Sequence, residues 1–256
     1  ARVPSPPKPN FKAYYLIDFS TDTVLASSDA DEQLPPASLT KLMSAYVVFS
    51  ALKSGRIKID DEAPVSVKAW RQGGTRMFIE PNTRVSVQDL LRGMLIQSGN
   101  DAAVALAEFV GGSVEQFVVE MNAAAKKLGM KNSQWRNPHG LPAREHYTSA
   151  RDLARLAKAI IAEFPEYYRL YSEREFSYHG IKQQNRNQLL WRDPSVDGMK
   201  TGFTAAAGYC LVSSAARDGM RLIAVVLGAE SPRLRNDGAK KLLDYGFANF
   251  ETRKVY

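Results

Sequence analysis

Three short runs carry side chains able to do covalent chemistry: Ser38-Leu39-Thr40-Lys41, Ser98-Gly99-Asn100 and Lys200-Thr201-Gly202. In the first, a hydroxyl and an amine stand three residues apart at a predicted helix start, so they share one face, a turn apart. A serine hydroxyl is a poor nucleophile until a base stands beside it. A lysine is that base only when neutral. Burial, a second cation such as Lys200 and the positive end of the helix each depress its pKa. The helix start offers the Ser38 N–H to an oxyanion, and the N–H of Phe203, just past the third run, is a second donor. Ser98 is suited to relay a proton to a leaving amine, and the Asn100 amide to hold a substrate carbonyl and the lysine. Lys200 supplies charge and Thr201 a hydroxyl for a carboxylate. Gly202, on an edge strand, lets a substrate backbone come close. The chemistry these residues suit is acyl transfer through a serine ester.

Taken singly the runs are weak. About one Ser-x-x-Lys is expected by chance in a chain of this size, and a second is present, Ser50-Ala51-Leu52-Lys53. It sits mid-helix without the Pro36-Ala37 turn before it and reads as surface. Lys-Thr-Gly is rarer, about one chance hit in ~20 such chains. The ordered triple is the strong signal.

The elements that must position these residues follow from periodicity. Ala13 to Phe19 and Thr23 to Ala26 read as a β-hairpin, ended by Pro35-Pro36. Leu39, Leu42, Met43, Tyr46 and Val47 recur at helical spacing, which predicts a helix from near Ser38. Ser86 with Asp89 opens a helix through Ile96. Ala102, Ala103, Leu106 and Val110 continue the pattern until Gly111-Gly112. Between them Ser98 and Asn100 lie in an ordinary loop, where Asn100 can also cap a helix beginning at Asp101. Ser113 caps the next helix, which Gly129 ends, and Ser149 with Asp152 opens another that runs to about Phe164. Gly208 to Ala215 and Met220 to Leu227 are β-rich runs joined by Arg217-Asp218-Gly219. Pro232 to Phe247 is amphipathic and helical. Strands at both ends and helices between predict an α+β fold: one antiparallel sheet from both termini, flanked by helices, with a helical lobe over roughly 60–160 and the site in the cleft between.

Composition bounds the alternatives. The 256 residues are 45% hydrophobic and 24% charged, ordinary globular values that exclude disordered and fibrous classes. No apolar run approaches the ~18 residues of a membrane span. One cysteine, Cys210, rules out an internal disulfide framework and a Cys-based zinc site. Three histidines leave little for a metal, and no cofactor is called for. The 34 basic and 27 acidic residues give a net charge of +7, which favours polyanionic surroundings without identifying them. No motif supports a nucleic-acid partner. Four prolines within the first nine residues predict an extended, solvated arm over 1–12.

The ordered triple resembles the signature of penicillin-binding proteins and class A β-lactamases. PASLTKLMSAYV, LLRGMLIQSGNDAAVALAE, HGL followed by TSARDLA, NRNQLLW, VDGMKTGFT, AAGYCLV and KKLLDYGFANFET extend the likeness over roughly residues 13 to 252. The chain is similar to low-molecular-mass penicillin-binding proteins, the serine-type D-alanyl-D-alanine carboxypeptidases of the type-5 group. The resemblance implies a penicillin-binding transpeptidase/β-lactamase-like fold. It assigns Ser38 as acylated nucleophile, Lys41 as base, and Ser98 and Asn100 to proton relay and positioning. Lys200, Thr201 and Gly202 then hold the substrate strand and its carboxylate. Arg235 falls where the family has an arginine near that carboxylate, and it can equally be surface charge in a run with Arg233. Arg186 can line the site or pair structurally. His139 reads as packing, Cys210 as an inert buried thiol.

The implied substrates are peptidoglycan stem peptides ending in D-Ala-D-Ala, with β-lactams as covalent inhibitors. The implied place is the periplasm, or the outer face of the cytoplasmic membrane, after removal of a signal peptide. A β-lactamase, a DD-endopeptidase and a penicillin-binding sensor remain alternatives on the same fold. Glu145 lacks the asparagine four residues on that a β-lactamase deacylation loop carries, and reads as exposed. Two departures stand out. Position 203 is Phe where relatives often have His or Thr, which removes a side-chain hydrogen bond to substrate. The stretch Trp70 to Phe78 looks short, which predicts a more open rim. The family's carboxy-terminal β-rich domain and membrane-surface helix are not in the sequence. Residues 253–256 read as the start of a linker, in a catalytic domain cut from a longer protein or in a subgroup without those parts.

Overall fold

A computed structural model describes residues 2–256. Its main sheet has five antiparallel strands in the order β2-β1-β9-β8-β7. They are β1 (Ala13–Asp18), β2 (Val24–Ser28), β7 (Val196–Thr204), β8 (Gly208–Arg217) and β9 (Met220–Ala229). As the sequence predicts, both chain ends build it. Both faces are covered, so Ala13–Ile17 and the Leu222–Leu227 run are apolar throughout instead of alternating. Tyr15, Ile17, Val212, Ile223 and Val225 face the larger core. Tyr14, Leu16, Leu211, Ala224 and Val226 face a second core under α9 (Pro232–Asn249), which contributes Ala239, Leu242 and Leu243. Fully burying one such aliphatic side chain is worth about 1.5–3 kcal/mol.

On the other side stand α1 (Thr40–Lys53) and α6 (Ala150–Glu163). The lobe holds a small two-stranded sheet of β3 (Glu62–Pro64) and β4 (Arg84–Ser86), with α2 (Val67–Arg71) in the connection between them, then α3 (Val87–Leu95), α4 (Asn100–Gly111) and α5 (Val114–Lys127). The cap serines behave as their spacing predicts. Ser86, Ser113 and Ser149 accept from the backbone N–H three residues on, Asp89, Gln116 and Asp152. After α6 come α7 (Pro165–Tyr168), a hairpin of β5 (Glu175–Tyr178) and β6 (Ile181–Gln184), and α8 (Leu189–Arg192). Sequence reasoning leaves this 165–192 stretch and both small two-stranded sheets unassigned.

Two expectations change. The arm is extended but not solvated throughout: Phe11 packs on the α9 core and the Pro4 carbonyl accepts from the Tyr245 hydroxyl at 3.0 Å. Gly238 makes the seat, because a Cβ there would run into the Phe11 ring. The segment joining α3 to α4 is no ordinary loop either. Ser98 takes φ +68°, Gly99 is the N-cap, and Asn100 is already the first helical residue. Its side chain is therefore free for other work and does not cap.

Candidate active site

The first two motifs converge because the backbone is bent at both. Ala37, directly before Ser38, has φ +49°, and Ser98 has φ +68°. Each left-handed non-glycine residue costs on the order of 1–3 kcal/mol and persists only where its surroundings hold it. After Ala37 a short 3-10 turn (Ala37–Leu39) leads into α1. β7 is the edge strand, so its outer backbone row is not covered by the sheet. Gly202 lies where β7 meets that turn. A Cβ there would stand 3.0 Å from the Ser38 nitrogen and 3.1 Å from the Leu39 nitrogen. Glycine thus lets the strand and the helix start close on each other, with the Ser38 N–H at the contact.

Lys41 is fully buried, and its Nζ has four oxygen neighbours. These are Ser38 Oγ at 2.9 Å, Ser98 Oγ at 3.2 Å, Asn100 Oδ1 at 2.7 Å and the His139 carbonyl at 3.0 Å. Asn100 is oriented by its other end, since Nδ2 donates to the Gly73 carbonyl at 2.9 Å. Ser98 stands between two lysines, for Lys200 Nζ also reaches its Oγ at 3.0 Å and the Thr201 carbonyl at 2.8 Å. Burial, then the charges of Lys200 and Arg186, hold the Lys41 ammonium well below its usual range. Burial, with Arg186 and Arg235, pulls Lys200 down to about 7. The Lys200 ammonium, expected at a substrate carboxylate, is hydrogen-bonded in this structure to Ser98 and to the Thr201 carbonyl.

The cleft encloses about 430 Å³, and its lining includes Ser38, Thr75, Ser98, Thr201, Phe203 and Arg235. Arg235 is no surface charge: it is 7% exposed. Its Nε donates to Asn236 Oδ1 at 3.0 Å and its guanidinium lies over the Tyr209 ring. Among the described residues no carboxylate pairs with it. Arg186 lines the same cleft, with Nε donating to the Gln97 carbonyl at 2.9 Å. Glu145 is exposed and paired with Arg136, and Cys210 is buried with its thiol pushed up to about 11 by desolvation. Ser50 bonds back to the Tyr46 carbonyl, and Lys53 is exposed, far from this chemistry.

Two contributors escape the motif reading. One is Asp101, whose buried carboxylate accepts from the backbone N–H groups of Met77, Phe78 and Ile79. The far end of the Trp70–Phe78 rim is strapped to α4 by these bonds. The other is His139, which does more than pack, since its carbonyl holds Lys41. No residue type signals a backbone acceptor; Asp101 sits next to a motif but its partners are remote in sequence.

The two buried histidines set a pH limit. His146 accepts the Arg136 N–H at Nδ1 (2.9 Å) and so donates from Nε2 to Thr40 Oγ1 (2.8 Å). His139 accepts the Leu141 N–H at Nδ1 (3.1 Å). A proton on either Nδ1 breaks a backbone bond. Desolvation holds both rings neutral, from 6.5 down to about 4. The unfolded chain takes up these protons first, so stability is complete above pH 6.5 and falls as pH drops toward 4. The loss amounts to about 3 kcal/mol per histidine. Urea midpoints should fall over that interval, and His146→Asn, which retains an acceptor for Arg136, should flatten the slope. Assigned His139 and His146 imidazole resonances titrating near pH 6.5 in the native protein would refute this.

The sequence pattern of the family described as D-alanyl-D-alanine carboxypeptidase matches residues 1–231. The D-alanyl-D-alanine carboxypeptidase DacC of Escherichia coli is 49% identical over 253 residues, covering 96% of this chain and 63% of that protein. Penicillin-binding protein 5 from Haemophilus influenzae superposes with a TM-score of 0.95 at 46% identity, covering 97% of this chain and 74% of that one. A penicillin-binding protein from Listeria monocytogenes, solved in its ampicillin-bound form, superposes at 0.87 with 31% identity, covering 95% and 100%. The chain thus spans just under two thirds of the DacC length and carries the fold of penicillin-binding proteins. It belongs to the D-alanyl-D-alanine carboxypeptidase family.

Proposed function

We propose that this chain is the catalytic domain of a serine DD-carboxypeptidase that removes the terminal D-alanine from peptidoglycan stem peptides. The observation that carries the reading is the buried amine of Lys41, within hydrogen-bond reach of both the Ser38 and Ser98 hydroxyls. Neutral Lys41 takes the Ser38 proton as Oγ attacks the carbonyl between the last two D-alanines. The N–H groups of Ser38 and Phe203 hold the oxyanion. Ser98, between Lys41 and Lys200, passes a proton to the departing amine, and the C–N bond breaks to leave the Ser38 ester. Water, deprotonated by the same lysine, hydrolyses that ester. Thr201 and Arg235 hold the terminal carboxylate; Arg235, cationic and without a carboxylate partner, is suited to an anion that arrives with substrate.

Penicillins present an acyl–amide bond and carboxylate to the same groups, so they should acylate Ser38 and leave slowly. Among the described residues no glutamate side chain lines the cleft, which disfavours the β-lactamase alternative. Since stem peptides lie outside the cytoplasmic membrane, the site of action follows from the substrate. The purified chain, given a D-Ala-D-Ala peptide, should release D-alanine steadily. Given a fluorescent penicillin, it should show one adduct, located on the Ser38 peptide by mass spectrometry. An adduct on another residue, or fast penicillin turnover without D-alanine release, would overturn the reading.

A further inference from the structure

One corner of the cleft differs from the rest. Its walls are hydroxyl, amide and guanidinium groups except where Phe203, Tyr209 and Pro232 join Arg235. Phe203 is 52% exposed, unusual for a phenylalanine beside a buried motif. It shares a strand face with Thr201, two residues back, and both line the cleft. Tyr209 lies directly opposite on β8. The two rings stack with centroids 4.3 Å apart and planes 25° from parallel. The Arg235 guanidinium lies 5.9 Å from the centre of the Tyr209 ring.

That last contact gives the corner a chemical address. If Arg235 holds the terminal carboxylate, the Cα of the leaving residue is one bond from that carboxylate, and its side chain falls beside whatever stacks on the guanidinium. The partly exposed Phe203–Tyr209 pair is there. We propose that Phe203 and Tyr209 form the side-chain subsite for the leaving residue and select an apolar D-residue over a polar one of the same shape. This rests on the carboxypeptidase reading above. A polar side chain would lose water against two ring surfaces that offer it no hydrogen bond, whereas an apolar one gains the contact. The usual gain from fitting an apolar group into such a pocket is about 10–200-fold in kcat/KM.

The test compares two peptides with the same acyl part, ending in D-Ala-D-Leu and D-Ala-D-Asn, whose last side chains are near-isosteric. For the wild type the kcat/KM ratio should favour leucine by about 10-fold or more. Phe203→Thr should bring it toward one, and Phe203→Leu should retain most of it. A loss of folding or of Ser38 reactivity lowers both rates and leaves their ratio, so the ratio isolates the subsite. A wild-type ratio near one overturns the proposal without recourse to any variant. So does a Phe203→Thr ratio within twofold of wild type. Failure of the parent reading looks different: neither peptide is cut and no penicillin adduct forms on Ser38.

Discussion

Lys41→Arg should lower the rate of Ser38 acylation by about 10²–10⁴-fold, the usual worth of a general base. The reason lies in which neighbours of Nζ are able to donate. Asn100 Oδ1 and the His139 carbonyl only accept, at 2.7 and 3.0 Å. They take the two N–H bonds of a neutral amine. The lone pair is then left for the two groups that carry a proton, the hydroxyls of Ser38 at 2.9 Å and Ser98 at 3.2 Å. A guanidinium has no such lone pair and stays protonated across the accessible range. Lys41→Met, of similar length, should lose as much activity and some stability too, because it leaves buried acceptors unpaired. In the wild type, acylation should rise with pH as Lys41 deprotonates, with a midpoint well below the ordinary 10.5. The measurement is the rate of penicillin adduct formation against pH, with a urea titration to establish folding. An arginine variant within tenfold of wild type would remove Lys41 from the base role.

Much of this site is legible before any coordinates. Ser38 and Lys41 are three apart on a helix start, so their contact is local geometry. Lys200, Thr201 and Gly202 read as edge strand because a glycine there suits close approach and the apolar runs after it supply the next strands. The sheet is legible for a related reason: its core strands are buried on both faces, and Leu222 to Leu227 shows that as an unbroken apolar run. What escapes depends on partners distant in sequence. The short strands 62–64, 84–86, 175–178 and 181–184 carry only one or two apolar residues each, and tertiary packing holds them. The direction of the Lys200 ammonium is decided by Ser98, a hundred residues away. The left-handed conformations at Ala37 and Ser98 have no residue signature either, since neither is glycine. They are imposed by the closure of the helix start on β7 and of the α3–α4 corner on Lys41.

Asp101→Ala should destabilise the protein by about 3 kcal/mol or more, at about 1–3 kcal/mol for each of the three buried donors, the N–H groups of Met77, Ile79 and Ala102, left without its acceptor. Asp101 is fully buried in the first turn of α4, where a negative charge also suits the helix dipole. Its Oδ1 accepts from Met77 N and its own helix at Ala102 N, both at 2.9 Å; Oδ2 accepts from Phe78 N at 3.0 Å and Ile79 N at 3.2 Å. The same rim is held at its other positions by the Gln97 amide on the Arg76 carbonyl, Asn100 N on the Thr75 carbonyl, and Gln183 on the Met77 carbonyl. Asp101→Asn keeps the shape and one acceptor oxygen. Its NH2 would face the Phe78 and Ile79 donors, so about half of the loss should remain. The rim supplies Thr75 to the cleft and the Gly73 carbonyl that orients Asn100, and Asn100 in turn holds Lys41. The asparagine variant, still folded at low temperature, should therefore acylate more slowly than wild type, and its pH midpoint should move because a negative charge near Lys41 is gone. That charge raises the Lys41 pKa, so its removal shifts the midpoint to lower pH. A urea midpoint change worth less than about 1 kcal/mol for Asp101→Ala would mean that the rim is held without its carboxylate. An unmoved pH midpoint in Asp101→Asn would separate the strap from the catalytic amine.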